Sequence, residues 1–167
     1  MRYVSTRGKA PAATLGRALR DGLAPDAGLY MPERMPEWSP DDMLGFAVMP
    51  LGELGARVLA PFVGSEVAAD KLLAIVDDAL NFPIPLVEIE PGIRVLELFH
   101  GPTLAFKDVA MQLLARLYDH ALARQGRRLT IVCATSGDTG GAAVEAFRGR
   151  ANVRLVALFP EGPATKQ

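Results

Sequence analysis

Apolar positions along the chain follow two different periods, and the change falls near residue 83. In the first part they recur every three to four residues, as in Leu72, Ile75, Val76, Ala79 and Leu80, which share one face of a helix. The pattern predicts helices over about 14–21, 40–46, 51–61 and 66–81, the last with Ser65 as its N-cap. Residues 32–40, which hold Trp38 between prolines, read as an ordered loop. Beyond Pro85 the order becomes strand, helix, strand, helix, strand. Residues 93–99 form a strand introduced by the Pro91-Gly92 turn, and Val109, Leu113, Leu117 and Ala121 give a helix over about 104–124 one broad apolar face. Residues 129–135 and 153–159 are short continuous apolar runs, which predict strands covered on both faces. The segment between them, 137–149, is long enough for a helix, so 129–159 predicts a βαβ unit with parallel strands and a right-handed crossover. The expected fold class is α/β, with a mostly helical segment at 1–83 and a partial parallel-sheet layer at 84–167.

Charge narrows the partners. Eighteen basic residues against nineteen acidic ones leave a net charge of -1, which lacks the basic footprint of a nucleic-acid binder or a polybasic membrane binder. No run approaches the roughly 18 apolar residues that span a bilayer, and the N-terminus, with Arg2, Arg7 and Lys9, does not read as a secretory signal. Cys133 is the single cysteine, so a disulfide framework and a thiol metal cluster are both excluded, and a reducing cytoplasm is the expected compartment.

Two segments carry candidate chemistry. The first is Ala134-Thr135-Ser136-Gly137-Asp138-Thr139-Gly140-Gly141, which leaves a strand and opens a helix. Ligands bind at such strand exits in open α/β sheets, and glycine backbone N–H groups, three hydroxyls and a helix N-terminus suit an anion. The segment has neither the lysine of a nucleotide P-loop nor the spacing of a dinucleotide fingerprint. An ordinary strand-to-helix turn, with Asp138 or Thr139 as N-cap, also accounts for it. The second segment is His100-Gly101-Pro102-Thr103-Leu104-Ala105-Phe106-Lys107-Asp108, again at a strand exit. A lysine held against apolar neighbours loses its proton more cheaply than one in water, and a neutral amine attacks aldehydes. The plainer alternative is a surface lysine paired with Asp108 or lying past Phe106. Strands 93–99 and 129–135 are expected to run parallel, which would open Lys107 and the 135–141 turn on one rim. His100 is either an acid–base group or a hydrogen-bonded structural residue, and no metal-ligand set stands out.

The segment 98–108 and the segment 134–140 together resemble threonine synthases, as do Tyr3-Val4-Ser5-Thr6-Arg7-Gly8, residues 22–32 and Phe159-Pro160-Glu161-Gly162. The resemblance runs the length of the chain. It implies a fold-type-II enzyme dependent on pyridoxal 5'-phosphate that converts O-phospho-L-homoserine and water to L-threonine and phosphate. By the same resemblance Lys107 is the lysine that bonds to the cofactor, and Thr135, Ser136, Gly137, Asp138 and Thr139 embrace the substrate carboxylate. Asp138 would also lie in the loop beside the cofactor. Enzymes of this kind continue well past the equivalent of Gln167, and the further part supplies the cofactor-phosphate loop and the partner of the ring nitrogen. Gly162-Pro163-Ala164 also departs from the family's usual basic residue after that glycine. The chain is therefore expected to be an N-terminal portion, inactive alone, whose partner is the remainder of the enzyme or a complementary fragment. A threonine-synthase-like phospholyase, using Lys107 to release phosphate and ammonia, and a non-catalytic truncated product are the alternatives.

Overall fold

A computed structural model describes residues 1–135 and 137–160 and divides the chain into two compact units, Met1–Asp78 and a second that begins at Ala79. In the first unit, β1 (Tyr3–Ser5) pairs antiparallel with β2 (Tyr30–Pro32), and α1 (Leu15–Asp21) lies between them in sequence. Both strands are three residues long, too short for any alternation to announce them. What holds this end is polar: the Asp26 carboxylate accepts from Ser5 Oγ at 2.6 Å and from the N–H groups of Gly28 and Lys9 at 3.0 Å. Then follow α2 (Pro40–Phe46), α3 (Leu51–Val63), a 3₁₀ turn at Gly64–Glu66 and α4 (Ala69–Ala79).

Ser39 and Asp42 close a reciprocal cap at the start of α2, each side chain accepting the other's backbone N–H. Trp38 sets its ring edge-on to Phe46 at 5.1 Å, as the ordered-loop reading of 32–40 requires. The helix expected over 66–81 is shorter at its start. Gly64 takes φ 57°, which breaks the chain direction, and the Glu66 side chain turns away to accept from Leu15 and Gly16 N–H at 2.7 and 2.9 Å. Ser65 therefore sits in the 3₁₀ turn and not at an N-cap.

The second unit holds an antiparallel hairpin, β3 (Leu86–Glu90) with β4 (Ile93–Leu96), then α5 (Lys107–Gln125), β5 (Leu129–Ala134), α6 (Asp138–Phe147) and β6 (Val153–Leu158). β5 and β6 are parallel in register from Leu129↔Val153 to Ala134↔Leu158, so the βαβ reading of 129–159 describes this part. The strand expected over 93–99 ends at Leu96 and pairs with β3, not with the parallel strands. A turn at Gly92, φ 82°, brings the neighbouring segment alongside first, and a short closure costs less entropy than a distant one.

Coverage of the sheet also differs from expectation. Along β5, Leu129, Ile131 and Cys133 are half-buried while Thr130, Val132 and Ala134 are exposed. Ala115 and Leu122 of α5 pack with Ala143, Ala146 and Phe147 of α6 over the first of these faces, joined by Val153 and Leu155. The other face, with Val132 and Leu158, has no cover among the described residues.

Candidate active site

Two connections fix how α5 and α6 stand against β5. The turn 126–128, with Gly126 left-handed and Arg127 N–H donating to Leu122 O at 3.1 Å, folds α5 directly into β5. At the other end β5 passes into α6 through residues 135–137. Both helices consequently run against the strand direction, side by side on one face. Tyr118 and Phe147 meet edge-on at 6.1 Å, and Asn152 Nδ2 donates to Asp119 Oδ1 at 2.9 Å, which sets the level of the far end. From Tyr118 back to Lys107 is about 16 Å of helix, and from Phe147 back to Asp138 about 14 Å, at roughly 1.5 Å per residue. Lys107 and Asp138 thus stand at the same end of this layer, where β5 and β6 finish.

The route to that arrangement is not the expected one, because β4 is no member of the parallel pair. It is α5, packed on α6, that brings the amine to this end. The helix predicted from about 104 begins at Lys107, since Leu104 has φ 62° and cannot continue it. A non-glycine residue there costs about 1 kcal/mol or more, and Leu104, 73 % exposed, gains no burial in return.

Asp108 holds the turn instead. Its carboxylate is fully buried, with Oδ2 accepting from Thr103 N–H at 2.8 Å and Oδ1 from Thr103 Oγ at 2.7 Å. Gly101 is needed for contact: a Cβ there would lie 2.6 Å from Asp108 Cβ and Oδ2. Among the readings of Lys107 from sequence, pairing with Asp108 gives way, because that carboxylate is spent on Thr103. The Lys107 ammonium lies over the exposed Phe106 ring, 4.3 Å from its centre, as the side-by-side alternative had it. Sequence reasoning gave Thr103 no role and considered Asp108 only as a partner for Lys107, so the bond between the two was missed.

The 135–141 turn is built around Thr135. Its N–H donates to Leu158 O at 2.9 Å, and its Oγ accepts from Gly140 N–H at 3.0 Å, tying strand exit to helix start. Neither Asp138 nor Thr139 is the N-cap; Gly137 occupies that position. Gly140 is buried and sterically required, since a Cβ would overlap Thr135 Cγ2 and press on the Phe159 ring at 3.1 Å. Gly137 and Gly141 face open space: apart from their chain neighbours and the helix's own backbone, no atom of the described residues lies within 4 Å of an added Cβ. Gly140 and Gly141 N–H are satisfied by Gly137 O, which leaves the Asp138 and Thr139 N–H groups without an acceptor among the described residues. Ser136 and residues 161–167, among them Glu161 and Gly162, lie outside the described residues.

His100 Nε2 lies 2.6 Å from Glu97 Oε2, and its ring stacks at a tilt on Phe99, 4.8 Å between centres. A cavity of about 380 Å³ beside it is lined by Gly101, Pro102, Gln112 and Glu145, and by neither Lys107 nor the 135–141 turn. No group of three or more metal-ligating side chains gathers among the described residues, and none of their helices is long and apolar enough to cross a membrane.

The described site is an α/β layer with a lysine opening one helix and a glycine-rich turn opening the next. A family described as the threonine synthase N terminus matches residues 2–80. Threonine synthase of Pseudomonas aeruginosa is 46% identical over 165 residues, covering 96% of this chain and 35% of that protein. Human threonine synthase-like 2 is 37% identical over 172 residues, covering 99% of this chain and 36% of its own length. The crystal structure of PLP-bound threonine synthase from Brucella melitensis superposes with a TM-score of 0.92 at 50% identity, covering 97% of this chain and 36% of that one. In sequence and fold the chain is similar to the N-terminal part of threonine synthases, and it spans about a third of the length of the relatives it matches.

Proposed function

We propose that this chain forms the N-terminal third of a threonine synthase, which converts O-phospho-L-homoserine and water to L-threonine and inorganic phosphate with pyridoxal 5'-phosphate as cofactor. The observation that carries the reading is the primary amine of Lys107 at the same end of the α/β layer as the 135–141 turn, in a chain half identical to a PLP-bound enzyme. The donor set fits the cofactor and substrate. Lys107 offers one primary amine for a covalent bond to an aldehyde carbon, and the open sides of Gly137 and Gly141 leave room for a ligand against backbone. When bound, pyridoxal phosphate supplies a sink for negative charge developing on the substrate carbons.

The chain's own residues supply position and proton timing. The Asp138 and Thr139 N–H groups, with the Thr135, Ser136 and Thr139 hydroxyls and the Gly137 backbone, hold the substrate carboxylate at the positive end of α6. Lys107 Nζ takes and returns protons at the substrate's α and β carbons. Over the whole reaction the Cγ–O bond breaks and phosphate leaves with its electron pair; water then delivers hydroxyl to Cβ and the methyl carbon gains a proton. The segment from 84 onward carries this chemistry, while the segment 1–83 serves as helical packing for the enzyme. The remainder of the enzyme completes the site, and the cytoplasm is its compartment.

The test uses the complete protein that contains this segment, with O-phospho-L-homoserine as substrate. Phosphate and threonine are expected in equal amounts, and Lys107→Ala should lower the rate by about 10²–10⁴-fold, the usual worth of a positioned acid–base group. Full activity in that variant would remove Lys107 from the mechanism. The second reading is a threonine-synthase-like phospholyase that uses the same Lys107. In that case phosphate appears with ammonia and a keto acid, and no threonine. A complete protein that yields neither set of products is the non-catalytic alternative.

A further inference from the structure

We infer that Asp108 is the positioning residue for Lys107, acting through its two bonds to Thr103; the inference rests on the reading of Lys107 as the cofactor lysine. Among the described residues the hydrogen bonds of the Asp108 carboxylate go to Thr103 and not to the amine. That carboxylate, fully buried, takes both the N–H and the hydroxyl of Thr103. Those bonds span the turn whose backbone closes through Leu104 N–H to Gly101 O at 3.1 Å and Asp108 N–H to Ala105 O at 3.0 Å. Inside that loop sits Leu104 at φ 62°, a conformation its own exposed side chain does nothing to hold. Release of Thr103 frees Leu104 to return to the helical region, which re-registers the first turn of α5 and swings the Lys107 stem to another azimuth. The close fit of Gly101 against Asp108, with no room for a Cβ, leaves the clamp a single seat.

A carboxylate next to a lysine usually suggests charge pairing, and the geometry separates the two roles. Asn at 108 keeps the shape and both contacts with Thr103, because its oxygen accepts the N–H and its amide donates to Thr103 Oγ. A positioning role therefore survives Asp108→Asn, and a charge role does not.

The complete protein is incubated with pyridoxal phosphate, reduced with borohydride and mapped by peptide mass spectrometry. Hydrogen exchange at residues 101–109 is read without cofactor. Wild type should carry its label at Lys107. Asp108→Ala should lower that label about tenfold, speed exchange at Thr103, and reduce kcat about 100-fold with KM nearly unchanged, the scale of an ångström-level misplacement. Asp108→Asn should keep label and exchange within about threefold of wild type. If Asp108→Ala does not fold, Thr103→Val decides: it removes one of the two bonds at constant shape and should lower the label about threefold. Equal labelling in wild type and Asp108→Ala, or in wild type and Thr103→Val, overturns the inference, as does an Asn variant as defective as Ala. Wild type that places no label on Lys107 instead overturns the cofactor-lysine reading, and this inference with it.

Discussion

Gly140→Ala isolates the one position in the 135–141 turn where glycine is demanded by contact. The added methyl would overlap Thr135 Cγ2 and stand 3.1 Å from Phe159 Cε1. Thr135 cannot swing aside freely, because its Oγ accepts Gly140 N–H at 3.0 Å and its backbone is tied to Leu158. Overpacking of this kind costs about 1–3 kcal/mol, and moving Thr135 Oγ off its donor costs about 1 kcal/mol more. Alanine in place of helical glycine returns about 1 kcal/mol. The balance is a loss of about 2 kcal/mol, roughly thirtyfold in the folding equilibrium. Gly141→Ala meets no further atom of the described residues, so only the helical preference acts and the variant should gain about 0.5–1 kcal/mol. Thr135→Ser removes the colliding methyl and keeps the hydroxyl. In that background Gly140→Ala should cost less than about 1 kcal/mol, a coupling that a double-mutant cycle reads directly. Urea denaturation of the parent and the four variants is the assay. Equal shifts for Gly140→Ala and Gly141→Ala, or no recovery in the Thr135→Ser background, would refute the steric reasoning.

Ser39→Ala should loosen α2 by about 1 kcal/mol, read as faster hydrogen exchange across 40–46, because Asp42 N–H then loses its acceptor at 3.1 Å; unchanged exchange would count against the cap. The Asp26 carboxyl is held below the usual carboxylate range, first by the Ser5 hydroxyl and then by the N–H groups of Gly28 and Lys9. A lowered folded value means its stabilisation is whole above about pH 4 and is lost as pH falls through that lowered value. The stability gap between the parent and Asp26→Asn should therefore narrow on acidification, and a gap independent of pH would contradict the network. Phe147→Ala empties the contact of α6 with Tyr118 and Leu122 and should cost about 3–5 kcal/mol in urea unfolding; a loss under 1 kcal/mol would mean that α5 and α6 are not held there.

Parts of this protein were legible because the signals are local. The helix expected over about 40–46 is α2, and the alternation of two apolar runs with a helix between them found the parallel pair β5 and β6. Lys107 and the 135–141 turn stood out as short segments whose residue types match a chemistry, whatever surrounds them. Covering of the sheet was another matter. A continuous apolar run states that both faces want cover, but the cover for Val132 and Leu158 is not in the described residues.

Three outcomes needed the tertiary structure. β4 turned to β3 instead of joining β5, because pairing energy goes to whichever strand closes at least entropic cost, and no property of residues 93–99 alone records that competition. Asp108 became a buried clamp on Thr103 and not a partner for Lys107, a choice made by the direction each side chain leaves its helix. The common end of Lys107 and Asp138 follows from two helices packed in the same sense through Ala115, Ala143 and Phe147. Sequence determines which groups can react and which segments can coil or extend; packing decides which of them meet, since distance between residues far apart in the chain is a property of the fold alone.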